Sequence, residues 1–340
     1  MKLALAFLVL FSSPAFADGD FCVQTINSHA TAWSSRNAER LEKMANTLKA
    51  SEPCAAYHFQ EIWMSSQFDT FSALPAFQGL KFVYGDRLRN DSSMIGLASA
   101  YPGTLLNARS ELYPVNDGTF GVEKGFILSD VKLATGQEIF FWNTHTNPRS
   151  DTNRISQAIF TADLFLTKEP RALQLPLVLT GDLNDYPDST ELLVLQKVLL
   201  LNDSFFDVHG SYQGICTFCS DNPENNEGKN EILDFVLYRS SPTLALTAVS
   251  SEVNLKNGVS DHYGVRSTLH FAERAPALRA ANDPIVLKRM SDAVAALETA
   301  QKDLVKEGGE ESVIQRAKEL EAMIRDGRLP EHAKDLYRLP

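Results

Sequence analysis

The chain has 340 residues, 44% of them hydrophobic and 22% charged, and a formal net charge of −11. Length and composition suit one large domain or two small ones, and exclude a disordered tail protein, a collagen-like repeat and a disulfide-dense miniature. The acidic balance argues against a broad basic face for nucleic acid, yet leaves open an enzyme that meets phosphate through a bound cation.

Lys2, the apolar run 3–11, Pro14 and Ala15-Phe16-Ala17 form a signal-peptide pattern over residues 1–17, with a mature start at Asp18. The run is too short to span a bilayer, and no other stretch approaches that length. An exported protein, secreted or periplasmic, soluble and monomeric, is expected. Cys22, Cys54, Cys216 and Cys219 are even in number. Cys216-x-x-Cys219 has no histidine at zinc-site spacing, and in an oxidising compartment the pairs 22–54 and 216–219 are the plainer reading.

Residues 21–26 form a β-prone run, and 36–50 carry Leu41, Met44, Ala45 and Leu48 at helical spacing. Strands are predicted at 55–59, 139–142, 177–180, 232–238 and 265–270, and helices at 152–167 and 192–200. Such mixing favours α/β or α+β, with stacked sheets and outer helices. Beyond Phe271 the texture changes. Asp283-Pro284 starts a helix, Gly308-Gly309 breaks it, and a second helix ends at Gly327. Residues 18–271 are thus expected to form the main domain and 272–340 a helical hairpin docked on it; a partner-binding module is the sharper alternative.

Several apolar runs end in, or lead to, residues suited to metal or phosphate chemistry: Asn27; Gln60-Glu61; Asn143-Thr144-His145; and Gly181-Asp182-Leu183-Asn184. Asp234 lies within its strand, and Asp261-His262 precedes the last one. Each is weak alone, because a turn or a solvated surface explains it. Their joint occurrence, mostly at strand ends, points to one sheet edge.

With Asn27 in TIN, Glu61 in FQEIW, Ser99 in GLASAYP, His145 in NTHT, Asp182 and Asn184 in GDLN, Asp234 in LDFVL and Asp261-His262 in SDHYGV, the chain resembles the endonuclease/exonuclease/phosphatase superfamily over about residues 21–271. The resemblance implies a DNase I-like α+β fold, a four-layered α/β/β/α sandwich of two mixed sheets. It implies phosphoester hydrolysis by an activated water with Mg²⁺, with Mn²⁺ or Ca²⁺ as alternatives. Glu61, Asn27 and Asp261 are then the expected metal neighbours. His262 is the expected general base, Asp234 its orienting partner and Asp182 the positioner of water. Asn184 and His145 would stabilise phosphoryl charge, or His145 would protonate the leaving group. The other histidines, His29, His58, His209, His270 and His332, read as structural or surface residues, His29 the least securely, two residues after Asn27.

Glu123-Lys124-Gly125-Phe126, and Asn143-Thr144-His145 with Arg154 and Gln157 downstream, look like the neutral sphingomyelinase branch. Lys124 and Arg154 are the expected phosphate contacts, and a phospholipid headgroup is the favoured substrate. One departure is that residues 240–260 contain no Trp, Phe or Tyr, whereas secreted bacterial sphingomyelinases carry an aromatic hairpin there. Peripheral membrane contact would then fall to Trp63, Met64 and Phe68. The alternatives are a secreted DNase I-like nuclease with Arg87, Arg89, Arg149 and Arg154 in its groove, and a non-catalytic protein acting through the helical tail.

Overall fold

The computed structural model describes residues 19–31, 34, 36–89, 94–116, 122–274 and 278–340. The signal-peptide segment 1–17 lies outside them. In chain order the elements begin with β1 (Gly19–Ala30), α1 (Asn37–Ala50), β2 (Ala56–Ile62), α2 (Ser65–Ser72), β3 (Lys81–Tyr84) and β4 (Ala98–Tyr101). Next come β5 (Thr104–Leu112), β6 (Gly125–Lys132), β7 (Glu138–His145), α3 (Asp151–Lys168), α4 (Pro170–Gln174) and β8 (Leu177–Asp182). They are followed by α5 (Thr190–Val198), β9 (Asn202–Asp203), α6 (Ser204–His209), β10 (Asp234–Arg239), β11 (Leu244–Asn254) and β12 (Gly264–Glu273). The chain closes with α7 (Pro284–Glu307) and α8 (Glu311–Arg325).

Among the described residues the strands form two six-stranded sheets, ordered β11-β12-β1-β2-β4-β3 and β5-β6-β7-β8-β10-β9. Both are mixed: β1 runs parallel to β2 and β7 parallel to β8, while the other strand pairs are antiparallel. Their inner faces share one apolar layer, including Val23, Ile127, Phe141, Val178, Val236 and Leu269. Alternate residues of β7 and β8 turn outward, so Trp142 and Leu179 pack instead with α3 and α5. On the far side of the first sheet, Met44 and Leu48 of α1 cover Phe59 and Ile62. The result is the four-layered sandwich.

Side-chain caps start the helices on the second sheet. Ser150 accepts the Asn153 N–H at 3.2 Å to open α3, and Ser189 accepts that of Leu192 at 3.2 Å to open α5. α7 starts on Asp283 with Pro284 at its first position and stops at Gly308, where φ is 73°. α7 and α8 form a hairpin. Their buried Leu297, Leu304, Ile314 and Leu320 join the same apolar cluster as Phe165 and Leu195. The tail therefore completes the outer helical layer over the second sheet.

Strands β3 to β6 and β11 had no clear sequence signature. β5 and β11 are sheet edges, half exposed and each interrupted by a register shift, so their alternation is blurred. Gly181 shows how close the site strands run. Its φ is 151°, and a Cβ there would lie 1.9 Å from the Thr144 carbonyl oxygen of β7. Gly181→Ala should destabilise the fold by about 3 kcal/mol in urea unfolding, whereas a loss under about 1 kcal/mol would mean that β7 and β8 separate freely.

Candidate active site

Register places three of the expected residues side by side on the second sheet. Asp234 of β10 pairs with Asp182 of β8, and Asp182 pairs with His145 of β7. His145 in turn faces Gly125 of β6, so Lys124 lies at the end of the same row. Lys124 Nζ is 3.0 Å from His145 Nε2 and 3.1 Å from Nδ1, and 5.3 Å from the Trp63 ring centre. All four row residues are buried.

The first sheet supplies the opposing half. Asn27 of β1 donates from Nδ2 to Asp182 Oδ2 at 2.8 Å, across the gap between the sheets. The Ser260 hydroxyl donates to the Asn27 carbonyl at 2.6 Å and accepts the His262 N–H at 3.2 Å. That turn is how SDH is fixed against β1. His262 Nδ1 then meets Asp234 Oδ2 at 2.8 Å, while its Nε2 lies 3.7 Å from Asp182 Oδ2. Glu61, the penultimate residue of β2, has a left-handed conformation (φ 60°), and its carboxylate lies 3.9 Å from His145 Nε2.

His29 is the residue the sequence reading left outside. Its Nδ1 lies 3.0 Å from Asp261 Oδ2 and 3.8 Å from Glu61 Oε2. Asn27 Oδ1 accepts the His29 N–H at 3.0 Å, bending the strand end where φ of His29 is 46°. The register of β1 against β2 shifts after Asn27, and this irregular strand end, rather than a regular period of two, turns His29 toward the site.

Electrostatics divide the cluster. Burial pushes Asp182 up to about 7, with the Asp234 charge adding to the rise and His262 and the Asn27 amide opposing it. Burial alone would depress His262, but Asp234 and Asp182 outweigh it and raise the imidazole well above its ordinary value. His145 goes the other way, held well below its ordinary value by burial and by the Lys124 and His262 charges. Burial would raise Asp261, but the His29 hydrogen bond and the His262 and His29 charges hold it lower. The environment thus drives the two imidazoles in opposite directions, favouring the charged form of His262 and the neutral form of His145. Glu61 and Asp261 flank His29 Nδ1 at 3.8 and 3.0 Å, and with the Asn27 amide they offer hard oxygen donors of the kind a divalent cation takes.

Other expected residues sit elsewhere. Arg154 is corrected: it is buried on α3, and its guanidinium donates to Asp185 at 3.0 Å, to the Asn147 carbonyl at 3.0 Å and to Asp151. It braces the loop after Asp182. Asn184, at φ 50°, donates its side-chain amide to the Thr146 carbonyl at 3.1 Å beside that loop. Ser99 is buried beneath the site, accepting from the Asn143 amide at 3.3 Å. Trp63 and Phe68, considered for membrane contact, are buried, and Met64 between them is exposed. Arg87 pairs with Asp69 at 2.6 Å, and the side chain of Arg89 is buried near Asp86. His58, His209 and His270 lie in structural contacts away from the site, with Thr180, the Ser251 carbonyl and Asp20. Disulfides join Cys22 to Cys54 and Cys216 to Cys219.

Residues 26–262 match the model of the Endonuclease/Exonuclease/phosphatase family. The chain belongs to this family. Among curated proteins nothing matches it. Of similar solved structures, a mannosyl-6-phosphatase from Bacteroides thetaiotaomicron is 18% identical with TM-score 0.59, covering 73% of this chain and 99% of its own. A mutant beta toxin from Staphylococcus aureus with bound magnesium ions is 15% identical with TM-score 0.57, covering 73% and 99%. A D. rerio TDP2 complexed with single-strand DNA product is 13% identical with TM-score 0.59, covering 74% and 99%. These likenesses show a shared endonuclease/exonuclease/phosphatase fold. The family and the clustered site residues make the chain a phosphoester hydrolase.

Proposed function

We propose that this protein is an exported, divalent-metal-dependent phosphodiesterase acting on a phospholipid headgroup, in the manner of a neutral sphingomyelinase. The observation that carries the chemistry is the buried Asp234–His262 pair facing His145 and Lys124 across Asp182. In its neutral form His262 takes the proton of the attacking water at Nε2, while Asp234 accepts from Nδ1, fixes the tautomer and stabilises the imidazolium that results. Lys124 and the N–H of His145 donate toward phosphoryl oxygens as charge develops, the depressed His145 imidazole serving as a hydrogen-bond donor rather than an acid. Asn184, on the loop that Arg154 braces, is a further donor toward those oxygens. Glu61, Asp261 and Asn27 would hold the cation, Mg²⁺ first and Mn²⁺ or Ca²⁺ as alternatives, with the newly recognised His29 beside the two carboxylates. When bound, it supplies charge neutralisation at the phosphoryl group and activation of water.

The headgroup preference rests on charge and on the Lys124 segment. With a net charge of −11, Arg154 and Arg89 buried and Arg87 paired, the groove expected of a nuclease loses most of its cations. The signal-peptide pattern and the two disulfides support export. No helix among the described residues is long and apolar enough to cross a membrane.

The test assays sphingomyelin, phosphatidylcholine, duplex DNA and RNA in parallel, with and without EDTA. Sphingomyelin turnover abolished by EDTA is expected, turnover that survives chelation overturns the metal chemistry, and cleavage of DNA alone overturns the lipid reading. By calorimetry, Glu61→Gln and Asp261→Asn should each weaken Mn²⁺ binding by at least about tenfold, since even outer partners of metal ligands carry that much. Unchanged affinity in both would place the cation elsewhere.

A further inference from the structure

Between α6 and β10 lies the loop Cys216-Thr217-Phe218-Cys219, closed by the disulfide between its ends. Its two middle residues reach both members of the Asp234–His262 pair. Thr217 is buried, and its Oγ1 accepts the backbone N–H groups of Leu233 at 3.0 Å and Asp234 at 3.2 Å. Its carbonyl accepts the N–H of Tyr263, the residue after His262, at 2.6 Å. The Phe218 ring lies 5.0 Å from the His262 imidazole, centre to centre. Reciprocal backbone hydrogen bonds between Phe218 and Glu231 tie the loop to the approach of β10.

Asp234 belongs to one sheet, and His262 lies two residues before β12 of the other. Their 2.8 Å contact spans the two layers, and Thr217 holds the backbone on both sides of it. We propose that the disulfide-closed loop 216–219 is the positioning element of this pair, Thr217 setting the Asp234–His262 separation and Phe218 the plane of the imidazole. Thr217 touches no reacting atom, so its effect passes through His262. The inference rests on the phosphodiesterase reading above.

Valine keeps the shape of Thr217 and removes the accepting oxygen, whereas serine keeps the oxygen. With bis(p-nitrophenyl) phosphate and Mn²⁺, Thr217→Val should lower kcat about 30-fold with KM held within about twofold, and Thr217→Ser should return to within about threefold of wild type. The double variant Cys216→Ser, Cys219→Ser should lose about tenfold in kcat through a looser loop. A valine variant as active as wild type overturns the proposal, as does a serine variant no better than valine. Thermal melting identifies a valine variant that fails to fold; Phe218→Leu then carries the test, expected to show the same kcat loss, and wild-type kcat there overturns the proposal. The low-field proton resonance of the Asp234–His262 hydrogen bond gives a readout independent of turnover. It should persist in Thr217→Ser and be lost in Thr217→Val, and its survival in the valine variant overturns the proposal. Absence of any turnover by the wild type would count instead against the phosphodiesterase reading.

Discussion

Replacing His262 by alanine should lower kcat on a phosphodiester by about a thousandfold while KM moves only about twofold. The imidazole is buried, and its two nitrogens face carboxylates of different strands, Asp234 at 2.8 Å and Asp182 at 3.7 Å. A base so placed acts in the transition state more than in ground-state binding, so its loss falls on kcat. Asp234→Asn keeps the shape and removes the charge that favours the imidazolium and fixes its tautomer, with an expected loss of about a hundredfold. Steady-state kinetics on the two variants measure both effects. An alanine variant within about tenfold of wild type would remove His262 from the base role.

Acid should unfold the protein through a different histidine. His58 lies fully buried between the sheets, its Nδ1 2.5 Å from Thr180 Oγ1 and its Nε2 3.2 Å from the Tyr101 hydroxyl. Burial depresses its imidazole from 6.5 to about 3. The unfolded chain therefore binds a proton below pH 6.5 that the folded chain refuses down to about pH 3. Stability from this group is complete above the unfolded value and is lost as the pH falls through that window. Between about pH 7 and about pH 4 the loss from His58 alone should be about 3 kcal/mol. His58→Gln offers a neutral partner to the same hydroxyls and should flatten the dependence by that amount, even if the variant is less stable at neutral pH. Urea unfolding at the two pH values measures it, and parallel slopes for wild type and variant would rule out the buried neutral histidine as the cause.

Much of the architecture was legible in local pattern. The apolar run ending in Gly181-Asp182 is a fully buried strand, and the helical spacing of Leu41, Met44, Ala45 and Leu48 buries those four side chains. The Asp283-Pro284 start and the Gly308 stop bound α7. Edge strands β5 and β11 were not legible, because a half-exposed strand with a register shift lacks a clean period of two.

The site divides along the same line. Asn27, Glu61, His145, Asp182, Asp234, Asp261 and His262 were marked by residue type and by nearness to strand ends, and all meet at one edge of the sandwich. Arg154 was misplaced because a cation near a phosphate motif has the same sequence appearance whether it meets substrate or braces a loop. Only Asp185, Asp151 and the Asn147 carbonyl around its guanidinium decide that. His29 was passed over because its neighbours Asp261 and Glu61 come from distant segments.

By itself, then, the sequence determined the chemistry available: hard oxygen donors, two site imidazoles and one lysine, placed mostly at the ends of apolar strands. Tertiary structure decided which of these touch. Register across β10, β8 and β7 sets Asp234, Asp182 and His145 in one row, and packing of the sheets brings His262 onto Asp234. Other site contacts join residues far more distant in sequence: 233 positions for the Ser260–Asn27 hydrogen bond and 232 for the His29–Asp261 pair. Local propensity carries no information over such separations, because pairing of non-neighbouring strands depends on the whole fold closing at once.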